Sequence, residues 1–210
     1  MTYSYQFTTP KNYGAVGDGI ADDTQSFSLA SVTGNTIKVP KGTYRICGDV
    51  SFFTSLDFDY GAVLLIEGTV VITGEVLAGN YKVFNVKPSG KIIGLTQAKV
   101  EWFGAAANGI TDSYSAIQTM LRCGVKTVEY GAGTYYHSST VQLYGNSQVT
   151  VRGAGFRNTS LTIGAASKVD IIISTCIIGP NNVDVAARGC YLWRCRAAYV
   201  IAYVYSAAKC

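Results

Sequence analysis

The chain has 210 residues, a net charge of +4, 48% hydrophobic residues and 14% charged residues. Charge is far below the roughly 25% of an ordinary soluble domain, which excludes a charged coiled coil or a solvating tail, and no run of five like charges marks a nucleic-acid-binding arm. Glycine (23) and tyrosine (15) are plentiful and proline (4) is scarce, so the expected fold is all-β with many tight turns.

The first residues, "MTYSYQFTTPKN", lack the basic start and apolar core of a signal peptide. The first distinctive segment is "NYGAVGDGIADDTQSF", residues 12–27. Gly14, Asp18 and Gly19 suit a tight turn, because Gly and Asp tolerate positive φ. Asp22 or Asp23 then stands where a helix cap is expected, with Gln25 at capping-box distance from Asp22 and a short helix running to about Ala30. A strand, "TIKVP" (36–40), follows, and a Gly-Thr-Tyr turn, completing "IKVPKGTY" (37–44), leads into another strand.

The same order recurs 90 residues on (104 − 14). Residues 102–117, "WFGAAANGITDSYSAI", place Gly104, Gly109 and Asp112 over Gly14, Gly19 and Asp22. "VEYGAGTY" (128–135) matches "IKVPKGTY" with one residue inserted. Asp112 is expected to cap a helix whose apolar stripe is Ala116, Ile117, Met120 and Leu121. A repeat of this kind governs every other reading. Asn108 and Ser113 replace Asp18 and Asp23 in the second copy. A turn and a cap tolerate those changes and an active site does not, so both copies read as architecture. Two domains are predicted, residues 1–98 and 99–210, with a linker near Pro88–Gln97.

Beyond the second copy the chain reads as strands separated by Gly or Asn: 147–155, 159–164, 168–179, 181–195 and 198–206. Cys176 and Cys195 end two apolar runs 19 residues apart (195 − 176), close to one coil of a parallel solenoid. The apolar stretch 197–208 is too short to span a bilayer, so no membrane insertion is expected. Six cysteines without a CxxC pair, and a single histidine, point to free thiols and to no metal site; no cofactor is implied either.

"YGAVGDGIADDTQSF", "IKVPKGTY" and "VTVRGAG" together resemble the amino-terminal end of the pectate-lyase-like right-handed parallel β-helix superfamily, and within it the bacteriophage tailspikes or capsule depolymerases. "AKVEWFGA" resembles the usual lead-in to the main β-helix of such spikes. The resemblance covers most of residues 10–180. It implies an all-β, right-handed parallel β-helix start with short capping helices and a duplicated opening motif. It implies a chain that recognises and degrades a bacterial capsular or O-antigen polysaccharide, this portion being mainly structural coils. It further implies a homotrimer bound to other virion tail proteins, made in the host cytoplasm and acting at the bacterial surface. The second β-helix is expected to be unfinished at Cys210. A non-catalytic β-helix adhesin is the alternative, and a bacterial polysaccharide lyase, hydrolase or epimerase stands behind it.

Candidate chemistry divides by position. Asp18, Asp22 and Asp23 are explained by turn and cap. Asp57 and Asp59 alternate on a strand and share a face, as a carboxylate pair for glycoside hydrolysis would; the solvent-facing side of a half-buried strand explains them better. Asp170 and Asp184, on successive predicted coils near Arg188, are the catalytic candidates, offering a base and a cation for an acidic sugar. Tyr191, Trp193 and Arg194 are the polysaccharide-contact candidates. His137, without a nucleophile motif beside it, reads as a surface or strand residue.

Overall fold

A computed structural model describes residues 6–139, 141 and 149–154, together with the backbone of 159–163 and 175–177. The fold is mostly β, with parallel strands in several sheets and no closed barrel. The chain forms two compact units, 1–95 and 96–210.

The first unit opens with β1 (Phe7–Thr8), a 3-10 turn (Pro10–Tyr13), β2 (Asp18–Asp22) and α1 (Thr24–Ser31). Three strands follow, β3 (Thr36–Val39), β4 (Gly42–Ile46) and β5 (Val50–Phe52). The next three are β6 (Leu56–Phe58), β7 (Ala62–Ile66) and β8 (Thr69–Ile72), and the last are β9 (Val76–Leu77), β10 (Phe84–Val86) and β11 (Lys91–Ile93). They sort into three parallel sheets, β1-β3-β6-β9, β2-β4-β7-β10 and β5-β8-β11. The chain therefore visits the three sheets in turn. Ile37 pairs with Leu56 and Thr43 with Val63, steps of 19 and 20 residues.

Strict alternation sends every second side chain inward. The inward residues line up in columns across paired strands: Tyr44, Leu64 and Phe84, or Val50, Val70 and Ile92. All six are buried. Each such aliphatic or aromatic side chain contributes about 2 kcal/mol relative to exposure. The helix α1 lies against β5, the first strand of its sheet. Phe27 fills the junction, edge-on to Tyr44 at 5.3 Å and to Phe52 at 5.9 Å. Between levels the backbones approach closely at corners. A Cβ on Gly68 would sit 2.2 Å from the Gly48 carbonyl oxygen.

The second unit begins with β12 (Gln97–Lys99), a 3-10 turn (Val100–Phe103), β13 (Asn108–Asp112) and α2 (Tyr114–Arg122). It continues with β14 (Thr127–Glu129), β15 (Gly133–His137), β16 (Thr150–Arg152), β17 (Thr159–Ile163) and β18 (Thr175–Ile177). Two parallel sheets form, β12-β14-β16-β18 and β13-β15-β17. After the opening level the steps are longer than in the first unit: Thr127 pairs with Thr150 and Thr134 with Ser160, 23 and 26 residues apart. Cys176 lies on β18 opposite Val151; Cys195 lies outside the described residues.

One expectation about organisation is corrected. The segment read as a linker, Pro88–Gln97, contains β11, which pairs with β8 through Ile92 and Val70. Pro88 belongs to a tight turn closed by the Gly90 N–H on the Lys87 carbonyl (2.9 Å). The division between units falls at Leu95, and Gln97 already belongs to β12.

Candidate functional site

The turns of the two opening motifs match in role. Gly14 and Gly104 close their 3-10 turns with φ of 89° and 99°. The Asp18 Oδ1 accepts from the Ile20 and Ala21 N–H groups (2.8 and 2.9 Å). Asn108 Oδ1 accepts from Ile110 and Thr111 in the same way (3.0 and 2.8 Å), so the amide does the carboxylate's work. Gly19 and Gly109 follow at φ 78° and 71°, and a Cβ on either would press to 3.2 Å from Thr43 or Thr134 Cγ2. These N–H bonds hold Asp18 below its ordinary acidity value.

The capping expectation is corrected in detail. The residue at the N-cap of α1 is Asp23, and that of α2 is Ser113; neither side chain bonds its helix. The carboxylate one position earlier does so. Asp22 Oδ1 accepts from the Thr24 N–H (3.0 Å) and hydroxyl (2.5 Å), and Asp112 Oδ1 from the Tyr114 N–H (3.0 Å). Both also reach the next level of the sheet, Asp22 through the Cys47 N–H (3.4 Å) and Asp112 through the Ser138 N–H (3.1 Å) and hydroxyl. The Thr24 bonds hold Asp22 below its ordinary value. For Asp112, burial acts upward, and the Ser138 hydroxyl with the two N–H groups outweighs it.

Asp23 is spent differently. It is 1% exposed, and its two oxygens accept from the Val16 and Gly17 N–H groups (2.6 and 3.1 Å). It pins the loop between Gly14 and β2. Gln25, the expected capping-box partner, is exposed.

Asp57 and Asp59 do not form a free pair. Lys38, opposite Asp57 in the register, bridges them at 3.5 and 3.1 Å. The Asp59 hydrogen bond and the Asp57 charge raise the Lys38 ammonium above its ordinary value. A glycosidase needs its two carboxyl groups directed at one bond; these two share one cation on an outward face. Nearby, Arg45 and Glu67 pair at 2.8 Å, also on an outward face, and Arg45 holds Glu67 below its ordinary value.

The catalytic candidates Asp170, Asp184 and Arg188, and the contact candidates Tyr191, Trp193 and Arg194, lie outside the described residues. Among the described residues no group of three or more His, Cys, Asp or Glu side chains is placed to share a metal ion. No helix of the described residues is long and apolar enough to cross a membrane. Among the described residues neither Cys47, half-buried, nor Cys123, buried, forms a disulfide.

What sequence reasoning missed is a polar cluster inside the second unit. Glu101, Tyr130, Tyr135 and His137 are each 7% exposed or less. Glu101 Oε1 accepts from the Tyr135 hydroxyl and from the Gly131 N–H (3.0 Å). The Tyr130 ring meets Tyr135 edge-on at 5.0 Å, and its hydroxyl lies 3.3 Å from His137 Nε2. Glu101 Oε2 and His137 Nδ1 are buried without a hydrogen-bond partner. Burial first, then Glu101, raises the Tyr135 phenol above its ordinary value. Burial lowers His137 to about 4, against a weaker upward pull from Asp112.

The first unit has no such cluster at the matching positions. Lys11, Val39 and Ile46 stand where Glu101, Tyr130 and His137 stand. Lys11 Nζ instead donates to the Val16 carbonyl (2.5 Å) over the Tyr44 ring. Tyr44, the counterpart of Tyr135, donates to the Pro40 carbonyl (3.0 Å), and burial pushes its phenol up to about 12. The signal was present in the aligned copies as three apolar-or-basic to polar exchanges. The expectation that His137 lies in a strand holds; a surface position does not.

Comparison with protein-family models, with curated proteins and with solved structures found no match.

Proposed function

We propose that the chain is the structural, amino-terminal part of a bacteriophage tailspike of the right-handed parallel β-helix superfamily. Its partner would be a bacterial capsular or O-antigen polysaccharide. The observation that supports this most is the twin opening: turn, short helix and strand, each leading into parallel sheets that the chain visits in order. In this reading each opening starts one run of coils, α1 and α2 cover the first level, and homotrimers attach to other tail proteins and act at the bacterial surface.

Glycan cleavage, if it belongs to this chain, falls to Asp170, Asp184 and Arg188, with Tyr191, Trp193 and Arg194 stacking on and holding the sugar. The described carboxylates favour a second reading beside it, a non-catalytic β-helix adhesin. Asp18, Asp22, Asp23 and Asp112 are bound to backbone N–H groups, and Asp57 and Asp59 to Lys38. Purified chain incubated with a panel of capsular and O-antigen polysaccharides separates the two. New reducing ends or unsaturated uronate, lost in Asp170→Ala or Asp184→Ala, support the depolymerase. Saturable binding without turnover supports the adhesin. A monomer that neither binds nor cleaves any of them counts against both.

A further inference from the structure

We propose that His137, seated in the core of the second unit with an unpartnered Nδ1, is a proton-operated latch: gaining a proton opens the second unit and leaves the first closed. This goes beyond the tailspike reading and does not depend on it.

The placement carries the argument. His137 occupies the inward position on β15 that Ile46 occupies on β4. An isoleucine there is indifferent to pH. An imidazole there stays neutral only while the core is closed, because its second nitrogen has no partner to share a charge with. The titratable groups facing it among the described residues are few. Tyr130, just past β14, contributes a hydroxyl 3.3 Å from Nε2, with which a neutral imidazole can pair in either tautomer. β13 contributes Asp112, whose carboxylate is exposed and already held by Ser138 and Tyr114. β17, the other strand paired with β15, carries no titratable residue in Thr159–Ile163. Glu101, the remaining carboxylate of the cluster, is held through Oε1 by Tyr135 and Gly131, and its Oε2 has no hydrogen-bond partner, His137 included. Among the described residues no carboxylate forms an ion pair with His137.

The sign follows from linkage. The ordinary imidazole value is 6.5, and burial lowers it to about 4 in the folded unit. The unfolded or opened unit binds the proton first, so stability is full above 6.5 and is lost as pH falls toward 4. The chain has one histidine, so the imidazole that titrates in this interval when opened is His137. Between pH 7 and 5 the closed-to-open ratio of the second unit falls about twenty-fold.

Hydrogen exchange of the full chain at pH 7, 6 and 5 tests this, after correction for the intrinsic pH dependence of exchange. Protection at β14 and β15 should drop about twenty-fold while β3 and β4 hold theirs, and His137→Ile should flatten the second unit's response. Equal loss in both units, or an unchanged pH response in His137→Ile, overturns the latch. Should His137→Ile not fold, the single imidazole of the wild-type chain decides by proton NMR. A signal that stays neutral down to pH 5 supports the latch, and a signal titrating near 6.5 overturns it.

Discussion

The first unit closes its opening level with aliphatic and aromatic side chains, and the second closes the corresponding level with Glu101, Tyr130, Tyr135 and His137. The local turns are the same in both: Asp18 and Asn108, Gly19 and Gly109, Asp22 and Asp112 make matching bonds. The difference therefore lies in what the turns enclose. Where the buried carboxylate of Asp23 anchors the first loop through two N–H groups, Ser113 has a buried hydroxyl with no partner. Where Tyr44 donates to a backbone carbonyl, Tyr135 donates to a carboxylate. A backbone device set by a few short-range bonds can be kept while the core beneath it changes polarity.

That contrast can be broken most strongly at position 23. Asp23→Ala orphans the Val16 and Gly17 N–H groups and should destabilise the first unit by about 3 kcal/mol. Ser113→Ala, the matched change, should shift the second by less than about 0.5 kcal/mol. Both tryptophans, Trp102 and Trp193, fall in 96–210, so tryptophan fluorescence in urea follows the second unit, and hydrogen exchange follows the first. Equal effects at 23 and 113 would erase the contrast.

Next in size is the tyrosine pair. Tyr135→Phe removes the hydroxyl that solvates Glu101 and should cost about 2 kcal/mol, against about 1 kcal/mol for Tyr44→Phe. The same urea and exchange measurements read both, and the reverse order would mean Glu101 is not held by Tyr135. Gly19→Ala and Gly109→Ala should then cost about 1 kcal/mol each and nearly the same, because both positions share φ and the same threonine contact. Unequal losses would show that the turns only look alike.

The smallest expected difference is at the acid limb. Asp22 and Asp112 are both held below their ordinary value of 3.8. Their contribution is present above that value and fades as pH falls through the lower folded one. Melting curves from pH 4.5 to 2 should therefore lose this contribution in both units together. Asp22→Asn and Asp112→Asn should flatten each unit's own decline, and a decline in only one unit would separate them.

Much of this was legible in the sequence, and for a physical reason. The turn, the short helix and the alternating strands are set by neighbours, so Gly14, Asp18 and Gly19 announced the loop, and Ala116, Ile117, Met120 and Leu121 announced the buried face of α2. The role of Asp23 was misread because capping logic looks forward along the helix, whereas the carboxylate turns back to Val16 and Gly17. β11 was hidden because three residues beside Pro88 carry no period of their own, and pairing with β8 makes them a strand. The polar cluster was hidden for the opposite reason. Glu101 meets Tyr135 across 34 residues, and neither is unusual alone.

The short step between paired strands of the first unit bears on how that unit is made. Ile37 finds Leu56 and Val50 finds Val70, each about one level ahead. Parallel sheets are ordinarily slow to fold, because their partners are far apart and loop closure comes before any contact. Here every closure after the opening level spans about twenty residues, and the entropic cost grows only logarithmically with that span. Once Ile66 has left the ribosome, the whole of β4 has its partner in β7. The first unit can thus be assembled level by level behind the advancing chain, with Phe27 and α1 already in place to cover the first exposed edge.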